Sequence, residues 1–266
     1  MGRGYWVIRT YIAGAIVEKT KYWLPGEKPT RSKRKLKTEI KKQEQNTKQA
    51  ERALARVLNA NYKTGVLIGL DYDDKSYDAF FGSLTSREEI YKEAVHRAQL
   101  CLRRVRREAD KLGIEVKAVI VTSDMDGKTG EEKRVHHHIV VNSEAAFLFE
   151  KKWIKRQCVN FKPLDSQRDR TALAHYLIAQ VYKYEGIKAY TCTRNLIHPE
   201  GIDRIAISNA RMTVPKGGVL LFASEYAIGV NQYIRYYDPK RDEKFDRDTD
   251  NRQRGDTGRN KNKGTC

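Results

Sequence analysis

Between Ser86 and Gly113 the chain carries its own start and stop signals for one long helix. Ser86-Arg-Glu-Glu89 is a capping box: the Ser86 hydroxyl accepts from the third helical amide, and Glu89 reaches back to the Ser86 amide. Apolar or small residues at 90, 94, 98, 101, 102, 105, 109 and 112 keep one face for a core. Leu112-Gly113 then closes the helix, because glycine accepts the left-handed conformation that ends one. A helix this long needs a surface to pack on, and its neighbours read as strands. Upstream, Gly65-Val-Leu-Ile-Gly-Leu-Asp71 is a short apolar run closed by Asp71, Asp73 and Asp74. Downstream, a strand runs from Ile114 to Ser123.

The next stretch, Arg134-Val-His-His-His-Ile-Val-Val-Asn142, is rich in β-branched residues and reads as a strand. Asp124 to Glu132 lies before it, polar and with two glycines, so the two strands form a hairpin. Side chains alternate along a strand, so His136 and His138 share one face and His137 takes the other, as packing or polar surface. At about 3.3 Å per residue the paired histidines stand about 7 Å apart on a rigid face, where they can share a metal ion. Asn142 falls on the histidine face, where a strand-end hydrogen bond also accounts for it. Ser143 to Trp153 is a helix capped by Ser143, and a strand near Gln157 to Phe161 follows. The order β-α-β-β-α-β predicts an α+β fold, an antiparallel sheet with helices on one face and the other face open.

At the N-terminus, Tyr5 to Leu24 predicts a strand hairpin turning at Ala13-Gly14, followed by a basic helix, and together these make a first domain over 1–62. The core is expected over 63–200, with C-terminal strands over 201–238 packed on it. Asp169 to Lys183 is a further helix. Residues 239–266 mix charges with Gly, Asn and Thr and are expected to be a disordered tail.

Charge bears on partners rather than fold. A formal net charge of +18 over 266 residues points to a polyanion, because neutralising phosphates releases counterions. Lys33, Arg34, Lys35 and Lys37 are candidate phosphate contacts, or else one solvated basic face. No apolar run approaches membrane-spanning length and no secretory signal is visible, so no membrane partner is expected. Cys101, Cys158, Cys192 and Cys266 are scattered, without metal or disulfide spacing, which suits a reducing cytoplasm.

The histidine strand, together with Tyr22-Trp-Leu-Pro-Gly26, Lys41-Lys-Gln43, Val121 to Gly127, Leu173-Ala-His-Tyr-Leu-Ile178 and Thr193-Arg-Asn-Leu196, resembles the HUH superfamily. The closest likeness within it is to phage gene II-like rolling-circle replication initiators. His137 departs mildly from the family's hydrophobic middle position. The resemblance implies a ferredoxin-like endonuclease core and a divalent metal, Mg2+ or Mn2+, on His136 and His138. It implies a third ligand from the neighbouring strand, Asp124 first and Asp71 in reserve, and Tyr176 as nucleophile. The lysine usual three residues after the tyrosine is Ala179 here; Lys183, seven residues on and on the same helical face, is the candidate replacement. Tyr182 or Tyr184 is the alternative nucleophile. Arg194 is a candidate DNA contact.

The expected activity is site-specific nicking and rejoining of single-stranded DNA at a replication origin through a 5′-phosphotyrosine, in a bacterial cytoplasm. No phosphate-binding loop of the helicase kind is present, so a host helicase and polymerase are expected partners. The alternatives are a non-catalytic single-strand-binding regulator, which Ala179 favours, or a relaxase or transposase of the same superfamily.

Overall fold

A computed structural model describes residues 4–24, 39–182, 184, 186–206, 211–225 and 231–244. The chain divides into two compact units. Residues 37–197 form one, and 1–36 together with 198–266 form the other. The basic helix therefore belongs with the core rather than with the N-terminal hairpin, as a correction to the boundary expected at residue 62.

In the unit formed by the two chain ends, β1 (Tyr5–Ala13) and β2 (Ile16–Leu24) make the hairpin, turning at Gly14 with φ 60°. They join β8 (Ile202–Ile205), β9 (Val219–Glu225) and β10 (Asn231–Tyr237) in an antiparallel sheet of order β8-β1-β2-β10-β9. The C-terminal strands thus complete a sheet with the N-terminal hairpin instead of adding to the core, because β8 pairs with β1 and β10 with β2. Residues 239–244, expected within the tail, are helical, and the rest of that expectation lies outside the described residues.

The other unit holds α1 (Glu39–Asn61), β3 (Val66–Leu70), α2 (Asp74–Phe81), α3 (Arg87–Leu112), β4 (Ala118–Met125), β5 (Glu132–Val141), α4 (Ser143–Lys152), β6 (Val159–Pro163), α5 (Thr171–Ala179) and β7 (Thr191–Cys192). Its antiparallel sheet runs β6-β3-β5-β4-β7. β3 and β4 each pair antiparallel with β5, so they are parallel to one another and need the α2–α3 crossover between them. The α3 caps form as the sequence dictates: both capping-box hydrogen bonds are made, and Gly113 sits at φ 67°. At α4 the cap residue is Asn142, not Ser143. Its amide side chain instead accepts from the Lys117 amide and donates to the Glu115 carbonyl, tying α4 to the start of β4.

Helices cover both faces of this sheet, which corrects the expected one-sided arrangement. Ile68, Leu70, Ile120, Ile139 and Val141 pack on one side with Ala98, Val105, Leu148 and Phe149 of α3 and α4. Val119, Val121 and Val140 pack on the other side with Leu54 and Leu58 of α1 and with Ala174, Leu177 and Ile178 of α5. Each fully buried large aliphatic side chain stabilises by about 1.5–3 kcal/mol, so α5 is fixed over the sheet mainly by Leu177 and Ile178. Among the described residues no helix is long and apolar enough to cross a membrane.

His137 faces the α3–α4 side and is fully buried. Its Nε2 meets the Tyr72 hydroxyl at 2.8 Å and its Nδ1 meets Thr122 Oγ1 at 3.0 Å. Burial, with smaller contributions from His136 and His138, pushes its pKa down to about 3. An unfolded chain takes up this proton below about pH 6.5, whereas the folded one refuses it until far lower pH. Stability from neutral His137 is therefore full above pH 6.5 and is lost as pH falls toward 3. A His137→Leu protein is expected to lose about 2 kcal/mol at pH 7, because two buried hydroxyls lose their partner. It should also show a flatter fall in urea midpoint between pH 7 and 5 than the parent; equal slopes in the two proteins would refute this.

Candidate metal and tyrosine site

His136 and His138 lie on the opposite side of β5 from His137, at the end of the sheet that α5 reaches. The Nδ1–H of His136 donates to the Arg134 carbonyl at 3.0 Å, which leaves its Nε2 lone pair free. That Nε2 is 3.2 Å from His138 Nε2, which in turn is 3.3 Å from Gln180 Oε1. Gln180 is oriented by its own amide, whose Nε2 donates to the Tyr176 carbonyl at 3.0 Å, so the oxygen must face the histidines. A proton on His138 Nε2 would serve this network, with Gln180 Oε1 and His136 Nε2 both acceptors, whereas ligating a metal through that Nε2 requires the other tautomer, with the proton on Nδ1. Burial above all, then His136, lowers the His138 pKa to about 4, while Gln180 opposes the shift. His138 is therefore neutral at ordinary pH, as a metal-ligating imidazole must be.

The donor set fits a divalent cation. Ligand atoms about 2.1 Å from a common ion stand about 3.0–3.4 Å apart, matching both separations. Two imidazoles and an amide oxygen leave positions open for substrate oxygens. Ser123 lies cross-strand from His136 on the same face, is fully buried, and its Oγ has no hydrogen-bond partner among the described residues. An orphaned hydroxyl beside the pair is consistent with a polar centre there. Among the described residues, no cluster of three histidine, cysteine, aspartate or glutamate side chains is placed to hold a metal. Gln180 Oε1 is the oxygen donor that stands beside the pair.

Asp124, expected as that ligand, is committed elsewhere. It is 3% exposed; Oδ1 accepts from the Tyr182 amide at 3.0 Å, and Oδ2 accepts from the Tyr184 hydroxyl at 2.7 Å. Arg87 Nε lies 3.1 Å from the same Oδ2. The backbone amides of Asp124 and Met125 both donate to the Gln180 carbonyl. Asp124 thus clamps the chain leaving α5 and, through it, sets where Gln180 stands. Asp71, the reserve ligand, is exposed and accepts from Asn160 at 3.4 Å.

The Tyr176 ring is 5.6 Å from the His138 ring, centroid to centroid, and is 49% exposed. Position 176 and position 180 face the sheet end together because four residues make one helical turn. Tyr184 is held by Asp124, and its pKa is raised by burial and then by that carboxylate, a poor state for a nucleophile. Tyr182 is 47% exposed, with the Arg87 guanidinium 5.0 Å from its ring centre. Lys183, Lys33, Arg34, Lys35 and Lys37 lie outside the described residues. The Lys133 ammonium pairs with Asp126 at 2.5 Å, which raises its pKa.

Arg194 is exposed in a turn at the far end of β4. Its neighbours explain the segment: the Thr193 hydroxyl accepts from the Ala118 amide, and Asn195 bonds to Glu115 and Val116. Five residues of strand, about 17 Å, separate Ala118 from Ser123 beside the histidines, so Arg194 is not part of this site. His175 pairs with Glu51 at 3.3 Å, away from the histidines.

Two further residues shape the site. Gly69 is the β3 partner of His138, and a side chain there would meet nothing closer than Asn160 Cβ at 3.7 Å. The sheet face beside His138 is therefore kept bare on that side. At Gly127, a Cβ would stand 3.0 Å from Gln180 Cγ, so the hairpin turn presses against the stem of the Gln180 side chain. The chain matches no family model, no curated protein and no solved structure.

Proposed function

We propose that this protein is a metal-dependent tyrosine endonuclease of the HUH kind, which nicks and rejoins single-stranded DNA at a replication origin. The observation that carries this reading is the convergence of His136 Nε2, His138 Nε2 and Gln180 Oε1 beside a half-exposed tyrosine one helical turn before Gln180. The strand order β6-β3-β5-β4 with its helical crossovers also supports it, being compatible with the split β-α-β order that the resemblance implies.

In the proposed reaction, the Tyr176 phenol oxygen attacks phosphorus and the bond from phosphorus to the 3′ oxygen breaks. The enzyme keeps the 5′-phosphate as a phosphotyrosyl ester. The phenol proton leaves to a base, the 3′ oxygen takes one up, and rejoining is the reverse. A bound Mg2+ or Mn2+ on the three donors supplies polarisation of the phosphate. Gln180 holds its oxygen toward the histidines, while the Lys133 ammonium is paired with Asp126. Bare sheet beside Gly69 leaves room for the strand. A cytoplasmic setting and a helicase and polymerase from the host follow from this reading.

The test is incubation of the full chain with single-stranded origin-like oligonucleotides, with Mn2+, with Mg2+ and with EDTA. A protein–DNA adduct resistant to denaturant should form only with metal. His136→Ala should reduce it by on the order of 10²-fold or more. Adduct formation equal in EDTA would remove the metal from the mechanism, and none under any condition would leave the fold as a binding scaffold.

A further inference from the structure

The sheet made by the two ends of the chain carries a cavity of about 610 Å³ on one face. Strand alternation places Ile8 and Ile12 of β1, Lys19 and Lys21 of β2, Arg204 of β8 and Tyr236 of β10 on that face. Its floor is aliphatic, while Lys19, Arg204 and Arg241 stand around it. Among the described residues that line it, none is a carboxylate. Asp238 pairs with Arg241 at 3.2 Å without lining the cavity. The Lys19 ammonium lies 5.5 Å from the Tyr236 ring centre. Burial, then Arg204 and Arg241, pulls its pKa down, the mark of cations crowded together. Such crowding is unfavourable until an anion enters, and the cavity has the size of a ligand site.

The same face continues along β2 to aromatic side chains. Lys21 Nζ is 5.1 Å from the Trp6 ring, and Trp6 meets Trp23 edge to face at 5.3 Å. Trp23 is 43% exposed. From Lys19 to Trp23 is four residues of strand, about 13 Å. Cations lining the cavity, with an exposed indole beyond it on the same sheet face, suit a strand with unpaired bases rather than a duplex, whose bases are already stacked.

We propose that this groove is a second nucleic-acid site, separate from the histidines, that binds single-stranded nucleic acid through phosphate contacts to Lys19 and Arg204 and base stacking on Trp23. The site does not depend on the cleavage chemistry. In a replication nuclease it would hold the substrate strand apart from the scissile position; in a non-catalytic binder it would be the main binding surface.

The experiment measures fluorescence anisotropy of a labelled single-stranded 20-mer with the full chain in EDTA, across a salt series. Lys19→Glu/Arg204→Glu should weaken binding about 10–100-fold and lower the salt slope by about 1.4, two phosphates at about 0.7 each. Trp23→Ala should weaken binding about 5–150-fold. Lys19→Gln/Arg204→Gln, a milder change, keeps the test valid if charge reversal disturbs the sheet, and thermal melts check each variant. Unchanged affinity and slope in a folded glutamine double variant would overturn the proposal. Equal dependence on these residues for a duplex of the same sequence would overturn it too. Because EDTA stops metal chemistry, this result is independent of adduct formation: either proposal can fail while the other stands.

Discussion

A Tyr176→Phe protein is expected to form no covalent DNA adduct, a loss on the order of 10³-fold or more, while remaining folded. The proposed nucleophile is the only heavy atom removed. Among the described residues the Tyr176 hydroxyl has no hydrogen-bond partner, and the ring is 49% exposed. Stability should therefore move by no more than about 0.5 kcal/mol. Binding of single-stranded DNA should persist, which separates a chemical defect from a binding one. Peptide mapping of the parent adduct gives the independent check. Label recovered on Tyr182 would transfer the role to the alternative phenol, which is 47% exposed beside Arg87. Tyr184 is the weaker alternative, since its hydroxyl already donates to Asp124.

The second large effect is expected at Asp124. Alanine there removes the acceptor for the Tyr182 amide and the Tyr184 hydroxyl, together with the partner of the Arg87 Nε. Breaking a buried ion pair costs about 3–5 kcal/mol when its partner is left unpaired. Arg87 keeps Glu132 and the Asp124 carbonyl, so about 3 kcal/mol is the better expectation. Activity should fall as well, because the segment that fixes Gln180 is released. Asp124→Asn distinguishes a clamp from a ligand. The amide oxygen can still accept from the Tyr182 amide, so Mn2+ affinity measured by calorimetry should change by less than about tenfold. Gln180→Ala should weaken Mn2+ binding more than Asp124→Asn does; the reverse order would restore Asp124 as the third ligand.

Much of the unit over 37–197 is legible in the sequence because its signals are local. The α3 caps lie within a few residues of the helix ends, and the histidine alternation is a property of three consecutive positions. The covering of both sheet faces was not legible. In α1 the buried Leu54, Val57 and Leu58 are set among charged residues, so the stretch reads as a solvated basic helix. Gln180 is not legible as a neighbour of the histidines because His138 is 42 residues away, and only its one-turn spacing from Tyr176 points there. Asp124 shows the converse. In sequence it is half of an Asp-Met-Asp-Gly turn, while the groups that occupy its oxygens come from Arg87 on one side and Tyr184, 60 residues away, on the other.

The interleaving of the two units governs the order in which they can be completed. The histidine-bearing unit is one continuous segment, 37–197, and every strand it needs leaves the ribosome in a single run. The hairpin β1–β2 emerges first yet has no neighbours until β8 and β10 arrive some two hundred residues later. A lone two-stranded hairpin is marginal in water, so the basic groove should acquire protection against proteases later than the unit over 37–197. Translation would thus finish the histidine-bearing unit before the surface proposed to hold the strand, and removing β1 or β10 should abolish the groove while sparing the histidines.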